Sequence, residues 1–322
     1  MKHLNGVERL SSIAGQSLHD YLMQMNWQKQ QYHNDDADIA DYLHDYRLRH
    51  QETLFFANDH TPYIELGLNV KRRIANIFGF FMDYLVRICY FNDPSVIETF
   101  DDHIWHIKYR RIGEPEEYVK ILQLVENEFK GKRVSIEDVS YEMRNYLLQL
   151  TAFDQRYRNQ WNDQLDFDLL REFDAKLILD QQVWDDLTAL YNREVSFFET
   201  YSHPTALIGN DVNVMNKYIS GEIDFYDQES ATLIDLKSYG PDIFNGKKQT
   251  AVVPTDSNRL QQLIYWRLAD VPVNRLMLYN PLEDAAYYYV FNQPELHLGS
   301  AVDQILNEFY LDKSAKLKKT FH

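Results

Sequence analysis

Two carboxylates and a lysine stand in neighbouring stretches of alternating apolar and polar residues. Asp224 belongs to the stretch GEIDF at 221–225, and Asp235 and Lys237 belong to IDLKS at 234–238. Because alternate side chains of a strand share one face, Asp235 and Lys237 point the same way. If the two stretches pair as a hairpin, Asp224 meets Asp235 on that face. The spacing therefore predicts that two carboxylates and an ammonium group converge at one edge of a sheet.

These groups are suited to metal-dependent chemistry at phosphorus. Carboxylate oxygens are the ligands that Mg²⁺ prefers, and water and phosphate oxygens complete its shell. The absence of thiolates from the group favours Mg²⁺ or Mn²⁺ over zinc. A bound metal polarises a phosphoryl oxygen and lowers the pKa of a water molecule. Lys237 would position that water or offset the negative charge that develops at phosphorus.

A predicted helix over residues 258–270, with Asn258 as its N-cap, adds two polar side chains. Gln261 and Tyr265 are four positions apart and therefore share one face of this helix. Side by side, a glutamine and a tyrosine can hydrogen-bond a phosphate or stack on a base.

The combination resembles the PD-(D/E)xK nuclease superfamily. An aspartate before a bend, then Asp-x-Lys, then a helix with Gln-x-x-x-Tyr is the pattern of its RecB-like branch, which also has an early histidine, matched here by Gly15-x-x-x-His19. In that family the histidine, both acidic residues and the carbonyl after the second one hold the metal. The resemblance implies these roles for His19, Asp224, Asp235 and the carbonyl of Leu236, and implies that Lys237, Gln261 and Tyr265 are catalytic.

The sequence departs from the family pattern on the first strand. Many relatives have a glutamate there, whereas this chain has Asn210, Asp211 and Asn213. The alternatives for a further metal-binding carboxylate are Asp211, Glu194 and Glu199, and they remain open beside His19. One cysteine, Cys89, excludes the relatives with an iron–sulfur cluster, which need four.

The elements that must position these residues follow from periodicity. Helical spacing predicts a helix over 166–201, and period-2 alternation then predicts strands at 206–218, 220–227 and 231–239 and a hairpin of 273–279 with 285–291, before a closing helix at 294–319. This order predicts an α/β fold in which helices flank a mixed sheet. The resemblance implies a restriction-endonuclease-like nuclease core over residues 166–322.

The N-terminal part is predicted to be mainly α-helical over residues 1–165. Helical patterns cover 7–32, 39–57, 66–92, 114–130 and 136–151, and two basic turns, 71–73 and 108–111, lie among them. Two divisions stay open. Either 1–165 is a separate helical domain, or 1–32 belongs to the nuclease core and 33–165 is a helical insertion.

Composition excludes several classes of protein. The 322 residues include 33 Lys and Arg against 49 Asp and Glu, a net charge of −16, which argues against a protein that coats nucleic acid. One cysteine excludes an internal disulfide and a four-cysteine zinc site, and a reducing cytoplasm is the expected location. No signal peptide is evident, and the most apolar stretch, 77–91, is too short to span a bilayer, so no membrane partner is expected.

Together with these residues, the resemblance implies a Mg²⁺- or Mn²⁺-dependent nuclease that hydrolyses phosphodiester bonds in DNA. The resemblance implies exonuclease-like action on single strands or ends, with a helicase or a recombination or defence complex as a partner. The alternative is a nuclease-fold module that has lost catalysis and serves in nucleic-acid binding or protein assembly.

Overall fold

In the computed structural model, the chain forms two compact units. It describes residues 5–6, 22, 25–32, 56–57, 77, 79–110, 116–159, 177–178, 181–201, 214–215, 219–221, 223–237, 255–281, 284–291 and 299–307. The first unit combines segments 1–35, 199–237 and 249–322, and the second combines 36–198 and 238–248.

One mixed sheet dominates the first unit. The strands of the chain are β1 (Asn5–Gly6), β2 (Gln28–Gln31), β3 (Phe56–Ala57), β4 (Leu177–Ile178), β5 (Val214–Met215), β6 (Ile219–Gly221), β7 (Phe225–Asp227), β8 (Thr232–Leu236), β9 (Arg275–Asn280) and β10 (Ala285–Val290). Five of them form a sheet in the order β2-β10-β9-β8-β7, in which β8 and β9 are parallel and the other neighbours are antiparallel. The predicted α/β class and the β9–β10 hairpin are confirmed, whereas the restriction-endonuclease-like topology and the division at residue 165 stay predictions.

Helices account for most of the described residues of the second unit and for the crossover in the first. They are α1 (Ser95–Arg110), α2 (Glu116–Phe129), α3 (Tyr141–Asn159), α4 (Gln181–Tyr201) and α5 (Asp256–Leu268). Residues 79–85 and 299–307 are also helical, and the first of these helices continues as a π-helix over Val86–Tyr90. Across the described residues, no helix combines the length and the apolarity needed to cross a membrane.

Helix α5 connects the two parallel strands and packs on the sheet. A tight turn joins antiparallel strands only, so two parallel strands need a longer crossover connection such as this helix. Leu260 and Ile264 of α5 join Leu233 of β8 and Leu276 of β9 in one fully buried cluster. Each such side chain contributes about 1.5–3 kcal/mol to stability by leaving water. This packing fixes α5 against β8, the strand that carries Asp235.

The predicted N-cap of α5 is wrong by three residues. The helix begins at Asp256, and Thr255 is its N-cap, with an extended backbone and a hydroxyl oxygen that accepts the Asn258 backbone N–H at 3.3 Å. Threonine and asparagine are both good N-caps. The apolar periodicity begins later than the helix itself, so it could not locate the first turn.

The predicted helix over 7–32 is wrong at its C-terminal end. Residues 28–31 form β2, which pairs antiparallel with β10 so that Gln28 lies opposite Tyr288. The Tyr288 hydroxyl donates to Gln28 Oε1 at 2.7 Å, and the Lys29 ammonium lies 5.4 Å from the centre of the Tyr287 ring. These residues have no apolar period of their own, and backbone pairing with β10 decides their conformation.

The second unit corrects three further predictions. Helix α1 was not predicted, and it contains residues 108–110, which were expected in a turn. Residues 56–57, expected at a helix end, form β3 and pair with β4, and helix α4 begins at Gln181 rather than at residue 166. Pairs of two-residue strands leave too little pattern in the sequence to be recognised.

A network of buried charged groups lies inside the second unit. Arg87, in the π-helix, binds Asp93 through Nε at 2.9 Å and lies 3.6 Å from Asp83 through Nη1. Glu194 of α4 is fully buried, and neither of its carboxylate oxygens has a hydrogen-bond partner among the described residues. Burial, and secondly the charge of Asp83, raise the pKa of Glu194 well above its usual value.

We predict that Glu194→Gln makes the protein more stable at neutral and alkaline pH. The folded state keeps a proton that the unfolded chain releases above its ordinary pKa of 4.5. Stability from this group is therefore greatest below that value and is lost as the pH rises through the folded pKa. Glutamine has nearly the shape of glutamate but cannot ionise, so the variant does not lose this stability as the pH rises.

Melting temperatures measured from pH 5 to pH 9 test this prediction. Glu199→Gln is the matched control, because Glu199 is exposed on the same helix. A Glu194→Gln profile parallel to that of the wild type would contradict the prediction.

Candidate active site

The β7–β8 hairpin is closed by the side chain of Asp227. Its Oδ1 accepts the backbone N–H groups of Glu229 and Ser230 at 3.0 and 3.3 Å, and its Oδ2 accepts the Ser230 hydroxyl at 2.6 Å. Aspartate favours turns because its carboxylate reaches the backbone two residues further on. The turn confirms the predicted hairpin and sets Phe225 opposite Ile234.

Asp224 lies at the bend before β7, and its carboxylate binds the backbone of β8. Its Oδ2 accepts the N–H of Leu236 at 2.7 Å. Neighbouring N–H groups of a strand point to opposite sides, and that of Lys237 donates to the Tyr279 carbonyl of β9 at 2.8 Å. The Leu236 N–H therefore points to the β7 side. Because β7 begins only at Phe225, the Asp224 side chain takes the place of a strand carbonyl.

Asp235 and Lys237 form an ion pair at the end of β8. Lys237 Nζ lies 2.7 Å from Asp235 Oδ2, as expected for alternate residues on one face of a strand. Asp235 is 1% exposed. Its Oδ2 has no hydrogen-bond partner of good geometry among the described residues, so the lysine provides a nearby charge rather than an aligned hydrogen bond. The Lys237 side chain is 23% exposed, which gives this ion pair an access to solvent.

Gln261 and Tyr265 are joined to each other and to this group. Gln261 Nε2 donates to the Tyr265 hydroxyl at 2.7 Å, and both side chains are buried. Burial above all raises the pKa of Tyr265, and the charge of Asp235 raises it further, whereas Lys237 lowers it. The charges of the ion pair thus act on the Tyr265 hydroxyl. The hydroxyl stays protonated at physiological pH and is able to donate a hydrogen bond.

The structure thus brings five predicted residues together in the first unit. Asp224 binds the backbone N–H of Leu236, the residue next to Asp235 in β8. Lys237 forms the ion pair with Asp235. Gln261 and Tyr265 join the group from α5. The Tyr265 ring is 3% exposed and belongs to the apolar cluster under the sheet. This burial argues against the expected stacking of the ring on a base, and a functional role of Tyr265 stays a prediction.

The other predicted ligands are not assigned to this group. His19 and Asp211 lie outside the described residues, as does Gly15 of the histidine motif. Glu194 is buried on α4, and Glu199 is exposed near the end of the same helix. The identity of a further protein ligand stays a prediction.

The donor set fits a hard cation. Asp224, Asp235 and the Leu236 carbonyl offer oxygen atoms, and Mg²⁺ is commonly bound by one or two carboxylates while it keeps several waters. The buried Asp235 Oδ2 is an oxygen whose negative charge is balanced by one lysine alone in the described structure. Within the described residues, no group of three or more His, Cys, Asp or Glu side chains is close enough to hold a metal ion.

One contribution to the site was not predicted. The backbone carbonyl of Tyr279 accepts the Lys237 N–H at 2.8 Å and so holds the end of β8 in place. A backbone carbonyl has the same chemistry in every residue type, so the sequence gives no signal for this role.

Comparisons of the chain with known proteins found no match. No family model matches the chain, no curated protein matches it, and no solved structure matches its fold.

We predict that Asp224 has a structural role separable from its charge. Asp224→Ala leaves the Leu236 N–H without its acceptor and should lower the free energy of unfolding by about 1–2 kcal/mol. Asp224→Asn keeps an amide oxygen for this hydrogen bond and should cost less than half as much. Urea denaturation of both variants measures the difference, and equal losses would show that the charge rather than the hydrogen bond matters to folding.

We predict that Tyr265 stabilises the first unit through its ring. Tyr265→Ala should lower the free energy of unfolding by about 3–5 kcal/mol, as for other buried aromatic residues. Tyr265→Phe keeps the ring and should cost only about 1 kcal/mol, because the buried Gln261 amide loses an acceptor. Thermal and urea unfolding test both values. A Tyr265→Ala protein with wild-type stability would contradict the buried placement of the ring.

Proposed function

We propose that this chain is a Mg²⁺- or Mn²⁺-dependent nuclease of the PD-(D/E)xK superfamily, RecB-like branch, that hydrolyses phosphodiester bonds in DNA. The observation that carries the proposal is the meeting of Asp224, Asp235 and Lys237 at the end of β8, beside the Tyr265 hydroxyl. The order of elements supports it as well. An aspartate at a bend precedes a strand with Asp-x-Lys, and a helix with Gln-x-x-x-Tyr follows.

Asp224 and Asp235 would hold the metal, with the Leu236 carbonyl and His19 as the further ligands that the family resemblance implies. A bound Mg²⁺ or Mn²⁺ polarises a phosphoryl oxygen and lowers the pKa of a water molecule. Asp224 is held in place by the Leu236 N–H, so one of its oxygens keeps the carboxylate oriented before any metal arrives. Such preorganisation lowers the reorganisation that the reaction requires.

Lys237 balances charge in two stages. Before substrate binds, its ammonium offsets the buried carboxylate of Asp235 at 2.7 Å. A cation at the carboxylates would release the lysine from this task, and its ammonium could then neutralise charge on a phosphoryl oxygen. A lysine is suited to this exchange because its ammonium is a point charge on a flexible stem.

Tyr265 and Gln261 act through hydrogen bonds. The Tyr265 hydroxyl accepts from Gln261 and retains its own proton, because burial raises its pKa. The Tyr265 hydroxyl could therefore donate a hydrogen bond to a phosphate or to Asp235. Gln261 fixes the orientation of the hydroxyl, and the apolar cluster around the ring prevents it from moving.

Single-stranded DNA or DNA ends are the proposed substrate, and the activity is exonuclease-like. With a net charge of −16, the chain as a whole does not attract a polyanion. A partner such as a helicase or a recombination or defence complex would then deliver the strand, which is an argument by analogy with the family.

A catalytically inactive nuclease-fold module is the second candidate. The Lys237–Asp235 ion pair favours it, because the lysine already neutralises the oxygen that a metal would take. An inactive module would keep this pair as a structural feature and bind nucleic acid or protein without cleaving.

We predict that cleavage of labelled DNA requires Mg²⁺ or Mn²⁺ and is abolished by EDTA. Asp235→Asn and Lys237→Gln should each lower turnover at least ~100-fold, because each group acts mainly in the transition state. Asp303→Asn is the matched control, since its carboxylate is on the surface of the same unit and pairs with Arg267. Single- and double-stranded DNA and RNA are compared in the same assay.

Metal binding gives an independent readout. Mn²⁺ should raise the melting temperature of the wild type and of Asp303→Asn, but not that of Asp235→Asn, because a ligand stabilises only the state that binds it. Cleavage that persists in EDTA would refute the nuclease proposal. A protein that binds DNA while it neither cleaves nor gains stability from Mn²⁺ would support the inactive module.

A further inference from the structure

Helix α1 of the second unit carries two exposed aromatic side chains side by side. Trp105 is 62% exposed and Tyr109 is 76% exposed. They are four positions apart in the sequence, and their ring centroids lie 6.2 Å apart with an angle of 29° between the planes. Large apolar side chains displayed together on a surface indicate a site of interaction.

Three carboxylates share this face of α1 with the two rings. Glu98, Asp101 and Asp102 are exposed, and helical geometry places their side chains and the rings within an arc of about 100°. We call this surface, residues 98, 101, 102, 105 and 109, the acidic aromatic face. Every charged side chain described on it is a carboxylate. None of the three forms an ion pair or a side-chain hydrogen bond with another described residue.

The acidic aromatic face is favourable for a cation. The hydrogen bond and the charge of Glu126 chiefly raise the pKa of Lys130, directly after α2, and the charges of Glu98 and Asp101 raise it further. The carboxylates of α1 therefore already stabilise an exposed ammonium group. The net charge of the chain is −16, so its overall field attracts cations as well.

The opposite side of α1 is packed into the unit, so the acidic aromatic face stands on a fixed support. Phe100 and Ile104 are buried. His103 Nδ1 lies 2.5 Å from Oδ1 of the buried Asp154 of α3, and the His103 ring stacks on Tyr157 with centroids 4.0 Å apart. Groups held on a rigid helix keep a defined geometry.

We propose that the acidic aromatic face binds an arginine-containing segment of a partner protein. A guanidinium group is planar, so it can stack on the ring of Trp105 or Tyr109 while neighbouring carboxylates accept its N–H groups. A lysine ammonium is more strongly hydrated and has no flat surface, so it meets only the charge of the face. Tryptophan, tyrosine and arginine are also the side chains on which binding at protein interfaces most often depends.

The dimensions of the acidic aromatic face fit a short segment rather than a folded surface. Glu98 and Tyr109 are 11 positions apart, which is about 16 Å along the helix axis. An extended chain covers this length with about five residues. A stable interface between folded proteins needs about 800 Å² on each side. Elsewhere among the described residues, the large exposed apolar side chains are Leu124 and Tyr141, on other helices.

Fluorescence anisotropy with a labelled heptapeptide of alternating glycine and arginine, added to the full chain, tests the proposal. The same peptide with lysine keeps the charge, and the same peptide with citrulline keeps the shape without the charge. The arginine peptide should bind at least ~5-fold more tightly than the lysine peptide, because only the guanidinium group stacks on the rings. The citrulline peptide should bind most weakly.

Substitutions on the acidic aromatic face separate the rings from the carboxylates. Trp105→Ala and Tyr109→Ala should each weaken binding of the arginine peptide about 5- to 30-fold, and Trp105→Phe should recover most of the loss. Asp101→Asn combined with Asp102→Asn should weaken binding of the arginine and the lysine peptides alike, and most strongly at low salt.

The matched control variants are in the same unit. Tyr141→Ala removes an exposed aromatic ring from α3. Glu116→Gln combined with Glu117→Gln removes two exposed carboxylates from α2, the same change in net charge as the double substitution in α1. Both controls should bind the arginine peptide with wild-type affinity.

Any of four results would overturn the proposal. They are the absence of measurable binding of the arginine peptide, equal affinity for the arginine and lysine peptides, wild-type affinity in both alanine variants of α1, and an equal loss in the control variants. Self-association that disappears in Trp105→Ala with peptide affinity unchanged would assign the face to a second copy of the chain and also overturn the proposal. The measurements contain neither DNA nor divalent metal, so a failure of the nuclease proposal leaves them unaffected.

Discussion

The arrangement of the candidate site depends on one backbone N–H of β8, that of Leu236, which has no acceptor in the backbone of β7. Strand β8 is longer than β7, so the N–H of Leu236 extends past its neighbour on that side. A backbone donor without an acceptor is unfavourable in a folded protein. The Asp224 carboxylate satisfies it at 2.7 Å and is thereby drawn to the end of β8, next to Asp235. A requirement of the backbone thus brings two negative charges close together.

Placing these charges together has a cost that the surroundings offset. A carboxylate withdrawn from water loses several kcal/mol of hydration unless a partner compensates. Lys237 compensates Asp235, and the Leu236 N–H compensates Asp224. The apolar cluster beneath α5 then excludes water from one side of the group, which strengthens each remaining electrostatic interaction. The stability of the first unit therefore depends on how these few residues balance one another's charge.

The contacts among the candidate residues were more predictable from the sequence than the boundaries of the elements that carry them. Period-2 alternation located β8, and the side-chain types located Asp235 and Lys237. The seven consecutive residues 259–265 of α5 are all buried, including Arg259, so helical periodicity could not tell which face meets the core. For the same reason, helical periodicity could not predict that the Tyr265 ring is buried. Strand β2 has no apolar pattern, because its place is decided by backbone pairing with a distant partner.

The pairing of β2 with β10 has a consequence for how the protein is made. The residues that meet there, such as Gln28 and Tyr288, are 260 positions apart in the chain. At ribosomal rates of about 5–20 residues per second, strand β2 waits on the order of 10–50 s for its partner. All of the second unit, residues 36–198 and 238–248, is synthesised within this interval. The nascent N-terminal segment must stay unpaired through this interval, so biogenesis of the sheet is among the last events in the synthesis of the protein.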